Sequence, residues 1–563
     1  MAAVPPIGDD GFYHPSSEDE IIALVQKAAS ENLEIRCRGA AHSLARAIYT
    51  DPGKGLLQLP NVVSEQNAPQ GPNLNLMLDQ YYGLTWIDEE KGIIEVESGI
   101  HLGLDPNDPT ETSTLQNSLL YQIFQKGFTL SDLGGISHQT VSGFLMTGSS
   151  GGSLMYSIEE NILAISLIDG TGTMQWFDKG DEYFNAAVLS LGLLGIISKV
   201  RLKLTPNYYI YGQQITYPVE LDKCPIDLLG NGANGKLGLE DFLKKTPYSR
   251  LLWWPQDKVN RLVIWQATRG AALPVFDCAP YEEFTEDSFM TNVEQLGASM
   301  LFTALGNSKF SVAWKKLKAS FAEFNEATTE SWGNGFIGWL FAGIVTFLLR
   351  IIGFILVLFL MTFRCILEWL YPIILDQLQP LTKKGKGQLF MDYTYSSLPM
   401  DNNANDIVMD TEFTEIWIPL EYTSRAISLV NKMFIEGKFK ATTYYSTELY
   451  AGKASPFWLS PAFEKDVLRI DFFWFKNNEG DPGIKGGFFS QYWDALRKEG
   501  IPFRLHWAKF LPEYDYEDWA AYFREQYPRW DAFMQLRAKY DPQNIFLTDY
   551  WSLHLFGKTK ASL

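Results

Sequence analysis

The sequence predicts an α+β fold of several domain-sized units, broken in the middle by a long apolar helical insertion. Three observations carry this reading. Amphipathic helical stretches are mixed with short strands, and the strands come in pairs about tight turns. The chain has 563 residues, 46% of them apolar, which is room for roughly three or four units and a large core. Residues 331–349 run for nineteen positions without a charge, close to the ~20 apolar residues that span a bilayer.

Taken in order, residues 12–30 read as an extended entry followed by a helix. Ser16-Ser17-Glu18-Asp19-Glu20 supplies a hydroxyl cap and first-turn acids, and Ile21, Ile22, Leu24, Val25 and Ala28 form the apolar stripe. Residues 33–37 are strand-like and lead into Arg38-Gly39-Ala40-Ala41-His42-Ser43. Small residues there let the backbone approach a ligand, so its N–H groups can face phosphate oxygens. On these six residues alone, plain turn chemistry stays equally open. Residues 83–99 form two strands around an acidic turn at Gly92, and 118–126 are helical.

A second small-residue loop runs from Leu133 to Ser153, with six glycines among residues 134–152. That composition excludes a regular core element, while Val141, Phe144, Leu145 and Met146 point to an ordered, packed loop. Residues 162–168 are a strand, Asp169-Gly170-Thr171-Gly172 a hairpin turn, and 196–204 a strand after the Gly192–Gly195 turn. Further on, 251–255 and 261–265 read as strands.

The net charge of −19 argues against a nucleic-acid partner, which asks for a basic surface. Cys37, Cys224, Cys278 and Cys365 lie far apart, so no metal site and no disulfide framework is expected. The first residues lack a basic segment followed by an apolar one, so no signal peptide is expected.

Pro15-Ser16-Ser17-Glu18, the loop ending in His42-Ser43, the 134–152 loop and Gly192-Leu193-Leu194-Gly195 together resemble the vanillyl-alcohol-oxidase type of FAD domain. Trp458-Leu459-Ser460-Pro461, His506-Trp507-Ala508-Lys509 and Asp541-Pro542-Gln543-Asn544-Ile545-Phe546 extend the resemblance, which is closest to the aldonolactone and alditol oxidases. It covers about 10–205 and 440–555. It implies an FAD domain at 1–205 and a cap at 206–440 with an insertion near 331–376. Residues 441–563 complete the cap and return to the flavin.

The resemblance also implies a set of cofactor-binding residues: Arg38, Gly39, Ala40, Ala41, His42, Ser43, Gly134, Gly135, Ser137, Gln139, Thr140, Ser142, Gly143, Thr147, Gly148, Ser149, Gly151, Gly152, Gly195, Ile197 and Lys509. His42 stands where relatives bond the flavin 8α carbon; a hydrogen-bonding loop histidine beside non-covalent FAD is the alternative. Lys509 matches a family lysine that stabilises charge on reduced flavin, His506 belongs to the same element, and Glu448 matches a substrate-binding glutamate. Tyr450 stands where the family has arginine. This departure removes a cation and points away from a small, highly hydroxylated substrate.

The insertion continues past Arg350 with thirteen apolar residues, 351–363. Trp332, Trp339, Trp369 and Tyr371 resemble interfacial anchors, and Lys315-Lys316-Leu317-Lys318 and Lys383-Lys384-Gly385-Lys386 suit anionic headgroups. A single span would split one flavin fold across a bilayer. Two short helices dipping into one leaflet or crossing as a hairpin are expected instead, with Arg350 snorkelling or paired with an acid or phosphate; helices buried in an oligomer interface or lining a lipid-sized tunnel are the alternative.

The expected protein is therefore a membrane-associated FAD oxidoreductase on the cytoplasmic side. It would oxidise a lipid-like alcohol by hydride transfer and pass electrons to oxygen or a quinone. The alternatives are a sugar-alcohol or aldonolactone oxidase whose insertion is an anchor or a homo-oligomer interface, and an inactive membrane scaffold.

Overall fold

A computed structural model describes residues 3–50, 71–219, 224–233, 235–255, 261–271, 280–282, 288–332, 336–363, 387–400, 402, 411–437 and 446–563. Cys278, Cys365, Trp369, Tyr371 and the Lys383–Lys386 cluster lie outside the described residues.

The first helix, Glu18–Glu31, starts where the Ser17 side chain accepts from the Glu20 N–H, and buries Ile21, Leu24, Val25 and Ala28. That 3.6-period stripe packs on a two-stranded parallel sheet, Ile35–Arg38 with Leu74–Met77, and on Ile545 and Phe546 from the far end of the chain. A five-stranded antiparallel sheet follows, in the order Leu84–Asp88, Ile93–Glu97, Ile196–Lys203, Ile162–Ile168, Met174–Asp178. The hairpin at 169–172 lies where the sequence indicates it.

The largest sheet has eight antiparallel strands. Its order is Gln388–Tyr393, Tyr209–Pro218, Arg261–Gly270, Tyr248–Trp254, Thr447–Gly452, Val467–Phe475, Thr411–Pro419, Arg504–Leu505. Thr447–Gly452 and Val467–Phe475 lie between strands from before residue 440, so the C-terminal part of the chain is built into the sheet of its middle.

Two expectations are corrected. The second small-residue loop contains a helix, Val141–Thr147, capped by Thr140, whose Oγ1 accepts from Gly143, and ended by Gly148 at φ 75°. Interleaved Val141, Phe144 and Leu145 are buried and outweigh the glycine composition. The apolar insertion does not break at Arg350: Phe336–Thr362 is one continuous helix, because arginine is a good helix former and a charge interrupts a hydropathy count but not a backbone. Residues 364–376 of the insertion lie outside the described residues.

That helix packs beside Ser288–Gly306 and Phe310–Trp332. Leu296, Met300, Leu317, Phe321, Phe324, Val357 and Leu360 form their shared core, which docks on Trp254 and Val263 of the large sheet. Only one stripe of the apolar helix is covered. Phe347 and Ile355 are 62% and 63% exposed, and Trp339, Phe341, Ile352 and Phe359 are exposed as well.

Candidate active site

A cavity with about 1050 Å³ of empty space, part of it open to solvent, lies between the parallel strand pair, the 140–149 segment, the 191–197 turn and the 506–509 loop. Arg38, Gly39, Ala40, Ala41, His42, Ser43, Gln139, Thr140, Ser142, Gly143, Thr147, Ser149, Gly195, Ile197, His506 and Lys509 line it. The two small-residue segments touch: a Cβ at Gly39 would collide with the Thr140 Oγ1 that caps the helix. Ala41 takes φ 59°, a left-handed conformation uncommon for a residue with a Cβ. It sets the direction of the next residue, His42.

His42 is half-buried, and its Nε2 is enclosed with no hydrogen-bond partner among the described residues. Burial, with the neighbouring His138, Lys509, Arg38 and His101, pushes its pKa well below the usual value. The imidazole is therefore neutral at pH 7 and keeps a lone pair. His101, His138 and His506 are likewise pushed down to about 4 by burial. Lys509 Nζ donates to the His42 carbonyl at 2.8 Å and lies 4.2 Å from the centre of the Phe413 ring. The Leu44 N–H donates to the Ala508 carbonyl. Two loops more than 460 residues apart are thus joined at the cavity wall.

Gly134, Gly135, Ser137, Gly148, Gly151 and Gly152 do not line this cavity, contrary to expectation. Five of them have packing or hydrogen-bonding contacts elsewhere. Gly134 lies 3.0 Å, as a Cβ, from the Phe144 ring, and a Cβ at Gly151 or Gly152 would strike the Leu133 or Ser249 carbonyl. Gly148 ends the helix, and the Ser137 N–H donates to Asn402.

Glu448 and Tyr450 also lie off the cavity lining, on the large sheet. Tyr450 OH donates to Glu448 Oε2 at 2.6 Å, and Arg250 Nη2 donates to Oε1 at 2.6 Å. Arg250 pairs in register with Tyr450, and Tyr450 with Arg469 on its other side. Arg469 holds Glu415 at 2.7 Å and donates Nη1 to the Ser150 and Gly151 carbonyls at 2.7 and 3.0 Å. The cation expected to be lost at Tyr450 is therefore present, supplied by neighbouring strands. His506 joins this row to the cavity, since its N–H donates to the Glu415 carbonyl at 3.0 Å.

Sequence reasoning missed Arg250, Glu415, Arg469 and Asp471, which meet only through strand register. It also missed Arg36, buried under the cavity and donating to the carbonyls of Ala47, Leu191, Gly192 and Phe546. Met146, Phe546 and Trp551, which complete the lining, were missed too.

The lining suits a large, flat, phosphorylated cofactor. Small residues leave backbone exposed at Gly39–Ala41, and the His42 Nε2 and Gln139 Oε1 are buried without partners. FAD fits this donor set.

The comparisons agree. A family profile described as D-arabinono-1,4-lactone oxidase matches residues 352–554. L-gulonolactone oxidase of Mus musculus is 23% identical over 547 residues, covering 96% of this chain and 93% of that protein. D-arabinono-1,4-lactone oxidase of Saccharomyces cerevisiae is 27% identical over 265 residues, 46% of this chain and 41% of that protein. Among solved structures, cholesterol oxidase from B. sterolicum superposes with a TM-score of 0.61 at 12% identity, over 97% of this chain and 94% of that one. The chain is an FAD-dependent oxidoreductase similar to the aldonolactone oxidases, and its fold is that of an FAD-binding oxidase.

Proposed function

We propose that the substrate is a small, uncharged, polyhydroxylated lactone or alcohol and that oxygen is the electron acceptor. The supporting observation is the polar row Arg250–Tyr450–Glu448 beside Arg469–Glu415. It offers several donors and acceptors, where a lipid-like substrate would ask for apolar walls. The names of the relatives point the same way. The lipid-like reading rested on the missing arginine together with the apolar insertion, and Arg250 removes the first of these grounds.

FAD, when bound, supplies the acceptor for the hydride leaving the CH–OH carbon. The chain's residues prepare that transfer. Gly39, Ala40 and Ala41 with Thr140, Ser142 and Gly143 hold the cofactor through backbone and hydroxyl groups. His42, kept neutral by burial, presents a nitrogen lone pair at the cavity, where it would tether the cofactor. Lys509 keeps a positive charge at the cavity wall, where it offsets negative charge gained on reduction. Glu448, fixed by Arg250 and Tyr450, accepts hydrogen bonds from substrate hydroxyls. The test is peroxide release across a panel of aldonolactones, alditols and long-chain alcohols. Turnover confined to the long-chain alcohols would refute the proposal.

A second reading concerns the apolar helix. With a single stripe covered, its remaining surface suits a membrane, and its 27 residues reach about 40 Å. We propose that it seats the enzyme on a lipid surface.

A further inference from the structure

Three adjacent strands put three carboxyl groups in one row. Glu448 pairs in register with Asp471, and Asp471 with Glu415. Two positions along each strand, Tyr450, Arg469 and Trp417 form a parallel row, with Arg250 opposite Tyr450. Side chains two apart on a strand share a face. Both rows therefore look toward the Ser150 and Gly151 carbonyls that Arg469 reaches.

Two of the three carboxyls have a guanidinium each. Arg250 meets Glu448 at 2.6 Å and Arg469 meets Glu415 at 2.7 Å. Asp471 is buried, and its Oδ1 has no hydrogen-bond partner among the described residues. The charged groups around it are Glu415 and Glu448 on the two neighbouring strands, Arg469 two residues back on its own strand, and Lys509 on the C-terminal loop; the carboxylates push its pKa up and the two cations pull it down, less than burial raises it. Lys509 is engaged by the His42 carbonyl and the Phe413 ring. Burial first, then the Glu415 charge, push the Asp471 carboxyl well above the usual range. A carboxyl between two carboxylates stays protonated, and in that form it both donates and accepts.

We propose that Asp471 contacts the substrate as a neutral acid, bonding an uncharged hydroxyl or lactone oxygen, and that the row thereby selects a lactone or polyol over the ring-opened aldonate anion. This rests on the lactone or alcohol reading above. An aldonate carboxylate would enter beside Glu448 and Glu415, where both guanidinium groups already hold carboxylates.

The test uses the flavin-loaded protein in two arms. Infrared difference spectra between neutral and alkaline pH, without substrate, should show a protonated-carboxyl band in the native protein that is missing in Asp471→Asn. Anaerobic equilibrium titration, with flavin absorbance as the readout, then compares L-gulono-1,4-lactone with its hydrolysed acid. Asp471→Asn, whose amide still donates, should bind the lactone within about threefold of the native protein, whereas Asp471→Ala should bind roughly 10- to 100-fold more weakly. The native protein should bind the acid roughly 100-fold more weakly than the lactone. Native lactone affinity should fall at alkaline pH, and that of Asp471→Asn should stay flat. An absent band, native-like affinity in Asp471→Ala, or equal binding of acid and lactone overturns the proposal. A present band with no lactone binding by any form overturns the substrate reading, and the selectivity with it.

Discussion

Replacing Arg469 by methionine probes the joint between the large sheet and the cofactor loops. The side chain is buried, bonds Glu415 through Nε at 2.8 Å and Nη2 at 2.7 Å, and donates Nη1 to the Ser150 and Gly151 carbonyls. Its guanidinium also lies 4.7 and 4.9 Å from the Trp417 and Tyr450 ring centres. Methionine keeps much of the volume but leaves Glu415 buried and unmatched, and removing one partner of a buried pair costs about 3–5 kcal/mol. That is a large part of a typical 5–15 kcal/mol stability.

The pH dependence distinguishes this cause from lost packing. In the native protein Arg469 holds the Glu415 pKa below its ordinary value of 4.5. This stabilisation is present above the unfolded value and is lost as pH falls through the folded one. In Arg469→Met, burial dominates and raises the folded pKa. The variant then binds more protons folded than unfolded, and its stability falls as pH rises. Thermal melts of the flavin-loaded protein at pH 5 and pH 8 should show the larger deficit at pH 8. An equal deficit at both, or none, refutes the electrostatic reasoning.

Other outcomes follow from the same geometry. Acid precipitation of the native protein should leave the yellow colour in the pellet, whereas His42→Ala should release it to the supernatant. Colour in the native supernatant would exclude the tether. Gly39→Val forces a side chain onto Thr140 and should lower flavin content at least about tenfold, since overpacking costs about 1–3 kcal/mol; full occupancy would contradict the close approach of the two loops. Phe347→Lys with Ile355→Lys should abolish flotation with anionic vesicles, each charge costing about 2.5–3.5 kcal/mol in a bilayer, with lactone turnover unchanged. A native protein that stays off vesicles and dimerises through this helix would make it an oligomer interface instead.

The parts of the site legible in sequence are those built from local chemistry. Gly39–His42 reads as a close-approach turn because its residues are contiguous, and His506 and Lys509 read together because they share one loop. The charged row reads only at Glu448, and there through the resemblance alone. Arg250, Glu415, Glu448, Arg469 and Asp471 come from four strands, and register alone makes them neighbours. Tyr450 misled for the same reason: a cation lost from one strand returns from the next. The apolar helix was legible in length but not in continuity, because Arg350 breaks a count of uncharged residues while its backbone stays helical. Val141, Phe144 and Leu145 signalled an ordered, packed loop in 134–152, while several of its glycines meet protein backbone, not the cavity.

The most direct measurement is the flavin absorbance of the purified protein when an aldonolactone is added without oxygen. Bleaching that reverses when air is admitted, with peroxide formed in equal amount, is the expected result. A yellow protein whose spectrum no lactone or alditol changes would contradict the assignment, and a folded protein that takes up no flavin would contradict the site itself.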